Sequence, residues 1–141
     1  MEVKFSVNSK IKKDEIDQKL KRILFRCMLK MHQLAVQKVP VDTGRLKGSL
    51  MIYPSGAGYS EYKLFDGVEY GAHVEFGTSP HHVSAKNLTK WSGRKLGDAS
   101  LAYAVANKIS KFGTNAQPFM RPALSQVKEI YSKAFFRQEF P

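Results

Sequence analysis

From Asp14 to about Val39 the chain repeats its apolar residues with the period of an α-helix, and no other stretch constrains the fold as much. At 100° per residue, Ile16, Leu20, Ile23, Leu24, Cys27, Met28, Met31, Leu34 and Ala35 fall within one broad arc. A helix with such a side must bury it against other elements. Asp14, Glu15 and Asp17 occupy its first turns, where carboxylates complement the helix dipole. Pro40, which offers no backbone N–H, ends it.

The same helical arithmetic gathers Lys19, Arg22, Arg26 and Lys30 into a stripe about 120° from the apolar centre. No acidic residue lies between Asp17 and Asp42. This is either a solvated face with acid first and base later, or a stripe that faces a polyanion or a partner. Charge over the whole chain keeps both readings open. Lys plus Arg is 23 against 12 for Asp plus Glu, a net +11, with a sequence pI of about 9.8. Such a field favours nucleic acid, anionic lipid or an acidic protein surface, but it says nothing about fold.

A length of 141 residues is that of one ordinary domain spanning 1–141, able to fold without a disulfide or metal staple. The 43% hydrophobic and 25% charged fractions exclude a wholly disordered, collagen-like or coiled-coil chain. Cys27 is the single cysteine, so neither an intramolecular disulfide nor a cysteine-based zinc cluster is available. Val3, Phe5 and Val7 alternate with polar residues as in a short half-buried strand and form no signal-peptide core. No apolar run approaches the roughly 20 residues of a membrane span. A cytoplasmic protein with no membrane partner is the simplest expectation.

The central third reads as a small antiparallel sheet. Leu50 to Tyr53 and Tyr59 to Phe65 are rich in strand-forming residues and are separated by Pro54 to Gly58. Asp66-Gly67 is a turn signal before Val68-Glu69-Tyr70, which predicts a third strand and a meander. Ser79 to Leu96 shows no sustained period, so residues 79–97 are expected to form a mobile loop. Asp98 can cap a second helix in which Leu101, Ala102, Val105, Ala106, Ile109 and Phe112 share an arc, with Gly113 as its stop. A third helix is expected from near Pro122 to Arg137, with Leu124, Val127, Tyr131, Ala134 and Phe135 on its apolar side. The aromatic end, Phe136 to Pro141, is a candidate partner surface. The fold class is therefore α+β, a small antiparallel sheet packed against a long N-terminal helix and two C-terminal helices.

No catalytic or metal constellation emerges, and no cofactor is expected. His81 and His82 are adjacent and lack cysteine or carboxylate companions, which suits a surface loop better than a metal site. Glu69 and Glu75 are two carboxylates that nothing in their spacing forces together. Cys27 lies on the apolar arc, where a thiol acts as a small hydrophobe. Gly56-Ala57-Gly58 lacks the lysine and helix start of a phosphate-binding loop. Gly93-Arg94-Lys95-Leu96-Gly97 is basic and glycine-flanked, as a mobile loop near phosphates would be. Trp91 beside it either stacks on a base or anchors the segment to the core.

Three segments carry a more specific signal: Val39-Pro40-Val41-Asp42-Thr43-Gly44-Arg45-Leu46-Lys47-Gly48-Ser49-Leu50, Val68 to Thr78, and Ala116-Gln117-Pro118-Phe119-Met120-Arg121-Pro122-Ala123-Leu124. In order and spacing they resemble the small tail-completion and head-tail joining proteins of long-tailed bacteriophages, over roughly residues 14 to 135. Physical chemistry gives the motif residues fold-determining work. Pro40 stops the helix, Asp42 or Thr43 can cap the next turn, and Gly44 permits a tight approach before Arg45. Gly77 can end an element before Thr78, and Pro118 and Pro122 bracket Phe119 and Arg121. Glu75 belongs to the same set.

The resemblance implies no catalytic residue. It implies a structural virion protein that forms a ring, commonly sixfold, at the head-proximal end of the tail, assembled in the host cytoplasm. Its partners would be copies of itself, connector or stopper proteins on one side and the tail-tube protein on the other, with DNA passing through non-specifically. A ring needs heterologous interfaces. The 79–96 segment, the hairpin near Gly56 and the aromatic C-terminus are the candidates, and Lys19, Arg22, Arg26, Lys30, Arg94 and Lys95 are candidate DNA- or partner-facing residues. The rival readings are a basic nucleic-acid-binding module built on the helix stripe and a small hydrolase using Glu69, Glu75 or the histidines.

Overall fold

The computed structural model describes residues 13–55, 61–132 and 137. Helix α1 spans Lys13–Lys38, with Asp14 and Glu15 in its first turn and Lys38 in its last. A short helix α2, Arg45–Ser49, leads into strand β1, Leu50–Ser55, which pairs antiparallel with β2, Glu61–Asp66. Helix α3 is Gly71–Phe76 and α4 is Ala85–Leu96. A 3₁₀ turn, Ala99–Leu101, then enters α5, Ala102–Phe112, and α6 is Met120–Ile130. The fold is α+β, with a long N-terminal helix and C-terminal helices about a two-stranded sheet.

The core is where α1, the hairpin and α6 meet. Ala35, Val39, Leu46, Leu50, Phe119 and Ala123 are buried together, with Met31, Leu34, Leu64, Val68, Val74 and Met120 packed around them. His32 ties the layers through a 3.0 Å contact between its Nε2 and the Leu50 carbonyl. Phe25 of α1 and Tyr62 of β2 tilt against each other at 5.4 Å between ring centroids. Each pair adds directional contact to the burial that drives the packing.

The expected third strand is absent from the described residues. After Asp66 the chain turns instead: the Gly71 N–H reaches the Val68 carbonyl at 3.3 Å and the Val74 N–H reaches that of Tyr70 at 3.1 Å. That turn becomes α3. A Cβ at Gly71 would lie 1.7 Å from Asp66 Oδ2, so any larger residue there would have to turn the Asp66 side chain aside.

The loop expected over residues 79–97 is corrected in part: residues 79–84 have no regular structure, but Ala85 to Leu96 is helical. Its inward set, Ala85, Leu88, Trp91 and Ser92, follows helical spacing. The most buried member, Ser92, is polar, which erased the hydrophobic period. Gly97, at φ 74°, ends α4. Asp98 then accepts the Ser100 N–H at 2.8 Å, capping the 3₁₀ turn as its residue type predicts. Ser92, Ala102 and Ala106 are buried small residues, and α4 and α5 pack as a helical hairpin.

Helix α6 begins two residues before the expected Pro122, and its inner side carries Ala123 and Val127, whereas Leu124 is exposed. The expected N-terminal strand, the Gly56 turn, and Ala134, Phe135, Phe136, Phe140 and Pro141 lie outside the described residues. No helix among the described residues is long and apolar enough to cross a membrane.

Candidate functional site: the motif junction and the groove beside it

The second and third motif segments, far apart in sequence, meet at Glu75, and the first packs with the third in the core. Glu75 sits in the last turn of α3 and is buried at 4% exposure. Its Oε2 accepts the backbone N–H groups of Phe119 at 2.7 Å and Met120 at 2.9 Å, and its Oε1 accepts that of Arg121 at 3.0 Å. The first four N–H groups of any α-helix lack an intrahelical acceptor. In α6 three of them are answered by Glu75, and the fourth position is Pro122, which has no N–H. The helix has no side-chain cap of its own. A carboxylate from 44 residues earlier does that work and complements the helix dipole as well.

Arg121 reinforces the junction. Its Nε donates to Glu75 Oε1 at 3.1 Å, its terminal nitrogen donates to the Glu75 carbonyl at 3.1 Å, and its guanidinium lies 4.8 Å from the centroid of the Phe76 ring. Burial pushes the Glu75 carboxyl upward, but the three backbone donors and the guanidinium outweigh it. The net position is below the ordinary carboxylate value. Glu69 is exposed on the turn before α3. The structure therefore commits Glu75 to a helix terminus and leaves Glu69 in solvent.

Directly after α3, Gly77 at φ 75° releases the chain, and Thr78 pairs with Thr114 through backbone bonds of 3.1 and 3.2 Å and a 2.9 Å hydroxyl contact. Gly113, at φ 71°, sits opposite, where a Cβ would be 1.9 Å from the Thr78 carbonyl oxygen. The Gln117 N–H continues the contact to the Val74 carbonyl at 2.8 Å. The α4–α5 hairpin leaves and rejoins the body through this neck. The peptide between Pro118 and Pro122 delivers Phe119, which is fully buried.

A second tie holds α4 to the first motif. Arg94 grips Asp42 with both ends of its fork, Nε at 3.0 Å and a terminal nitrogen at 2.6 Å, and Lys95 donates to the Val41 carbonyl. The hydrogen bond from Arg94 holds the Asp42 carboxyl below its ordinary range. Neither Asp42 nor Thr43 caps α2, contrary to the expectation, because Gly44 at φ 82° takes the capping position without a side-chain bond. Arg94 and Lys95, expected to face DNA or a partner, are exposed and are at the same time bonded to the first motif. The α1 stripe lies elsewhere: Arg22 and Arg26 are exposed, Lys19 and Lys30 half-buried. The structure does not merge the two basic groups.

Between the Pro40–Leu46 segment, α3 and the α4–α5 hairpin runs an open groove of about 1280 Å³. Leu88, Trp91, Val105 and Ile109 supply apolar lining, and Arg45 and Lys108 are among the cations beside it. Sequence reading missed this groove, because its lining depends on how α4 and α5 are folded back. The Glu75 cap was missed for a related reason: a glutamate that caps a helix in another part of the chain leaves no local pattern, although the prolines around Phe119 mark the receiving end.

Among the described residues no group of three or more His, Cys, Asp and Glu side chains could hold a metal ion. In comparison with known proteins, the model of a family described as "Bacteriophage HK97-gp10, putative tail-component" matches residues 2–77. The match contains the first motif and all but the last residue of the second. No curated protein and no solved structure matches significantly.

Proposed function

The chain belongs to the HK97-gp10-like family of bacteriophage tail components, and on that premise we propose that it is a tail-completion protein that joins tail to head. In this reading it is a single-domain virion protein, assembled in the host cytoplasm, that forms a ring, commonly sixfold, between the connector or stopper proteins and the tail tube. DNA passes through the ring without being read. Binding and geometry are the whole mechanism, with no turnover.

The observation that carries this reading is an apolar sheet face with no cover among the described residues. On the outer side of the hairpin, Met51 pairs with Phe65 and Tyr53 follows two residues on. They are 51%, 41% and 61% exposed. Clustered exposed apolar residues mark protein interfaces, and a ring needs one face of a protomer to complement a different face of the next. Apolar burial would supply affinity and the basic surface would supply register.

The test is a pull-down of the tagged chain from phage-infected or prophage-induced lysate, washed at moderate and high salt, with mass spectrometry of what remains. Tail-tube or connector proteins that survive high salt support the joining role. Nucleic acid alone, lost as salt rises, favours the basic DNA-binding module instead. Met51→Lys with Phe65→Glu should abolish recovery of tail proteins while leaving the circular dichroism of the chain unchanged.

A further inference from the structure

The groove beside the motif junction has a composition that selects its occupant, and we infer that it receives an extended segment of a partner protein in which carboxylates alternate with apolar side chains. Volume comes first. At about 1280 Å³ and open to solvent, it exceeds the roughly 300–1,000 Å³ of small-molecule sites and suits a length of polypeptide. Leu88, Trp91, Val105 and Ile109 line it and are only half-buried, so the inward faces of α4 and α5 keep apolar surface in contact with water. Covering that surface is favourable at about 25 cal/mol per Å² before the costs of association.

Charge then narrows the choice. Arg45 and Lys108 border the groove, Lys95 beside them also donates to the Val41 carbonyl, and the only acidic residue among its described lining is Asp42. Both Asp42 oxygens are already held by Arg94. The groove therefore presents cations without free carboxylates. A second copy of this chain carries a net +11 and is a poor electrostatic match. A nucleic acid would satisfy the cations but has no branched aliphatic side chains to lay on Leu88, Val105 and Ile109. An acidic, apolar segment answers both features.

The identity of the partner as a tail or connector protein rests on the function proposed above, whereas the chemistry of the groove does not. Trp91 is the sole tryptophan, so its emission reports the groove in the unmodified full chain. The probe is a ten-residue synthetic peptide alternating leucine or phenylalanine with aspartate or glutamate. Its controls are the same peptide with lysine for every acid, and a twelve-nucleotide single strand of DNA. The expected result is a saturable shift of Trp91 emission with the acidic peptide alone, weakened at least tenfold by Lys108→Glu and less by Lys108→Gln, with circular dichroism of both variants unchanged.

No saturable shift overturns the assignment. So does an equal response to the lysine peptide, or a larger one to the DNA strand. A shift that appears on concentrating the chain without peptide assigns the groove to a second copy and also overturns it. A chain that assembles with tail proteins yet ignores the acidic peptide refutes the groove assignment alone. Peptide uptake by a chain that recovers no tail protein refutes the joining role alone.

Discussion

The carboxylate of Glu75 lies 2.7 Å from the backbone nitrogen of Phe119, so the last turn of α3 terminates the start of α6 from across the molecule. This contact joins the second motif to the third. The first motif joins them through the core, where Val39, Leu46 and Leu50 pack with Phe119 and Ala123. At this junction the motif residues make helix-terminus and core contacts within the chain.

Removing the Glu75 carboxylate strands three backbone donors at a buried helix end. Glu75→Ala should cost about 3 kcal/mol, and Glu75→Gln, which keeps one acceptor oxygen, about half of that. Urea unfolding followed by circular dichroism measures both. Equal stability of wild type and Glu75→Ala would refute the capping role.

The pH dependence follows from the same group. Its folded-state pKa lies below the ordinary carboxyl value of 4.5, so the folded state binds the carboxyl proton less readily than the unfolded chain does. The stabilisation is therefore fully present above about pH 4.5 and is lost as pH falls through the lower folded value. Urea midpoints from pH 7 to pH 3 should fall more steeply for wild type than for Glu75→Gln. Parallel curves would show that another carboxylate dominates.

Two glycines with similar positive φ should respond differently to alanine. At Gly44, φ 82°, an added Cβ meets nothing within 4 Å, leaving only backbone strain of about 1 kcal/mol. At Gly113, φ 71°, it would sit 1.9 Å from the Thr78 carbonyl oxygen, so the neck must open and the cost rises to about 3 kcal/mol. Thermal unfolding of the two variants, measured side by side, should show the larger loss for Gly113→Ala, and equal losses would refute the close approach at the neck.

The Arg94–Asp42 pair is exposed to solvent, and its effect should be local rather than global. Asp42→Asn should raise amide hydrogen exchange in Ala85–Leu96 while leaving α1 and α6 protected. Added salt should shift wild type toward the variant, because exposed pairs are screened. Exchange unchanged in α4 would mean that the Lys95 bond to Val41 and the neck suffice to hold the hairpin.

What could be read from the sequence was whatever is encoded locally. The α1 pattern, its stop at Pro40, the hairpin, the Asp98 cap and the Gly113 stop each depend on residues within a turn or two of one another, where period and dihedral preference act directly. The reading failed at Ala85–Leu96, where the deepest inward residue is Ser92, and at Val68–Tyr70, where strand-forming residues were drawn into a turn that feeds α3. Local preference there was weaker than the gain from placing Val68 and Val74 in the core and Glu75 at α6.

The sequence by itself determined that the chain has a long amphipathic helix, a β-hairpin, a strong positive charge and three motif segments that mark a family. Only the tertiary structure decided what those segments do. The acceptor for the Phe119, Met120 and Arg121 N–H groups is 44 to 46 residues away, and the cation that holds Asp42 is 52 residues away. Such pairings follow from the packing of whole elements, which bury these groups beside each other and make an unanswered donor costly. The groove has the same origin, since it exists only because the α4–α5 hairpin returns to its neck and is tied back to the first motif.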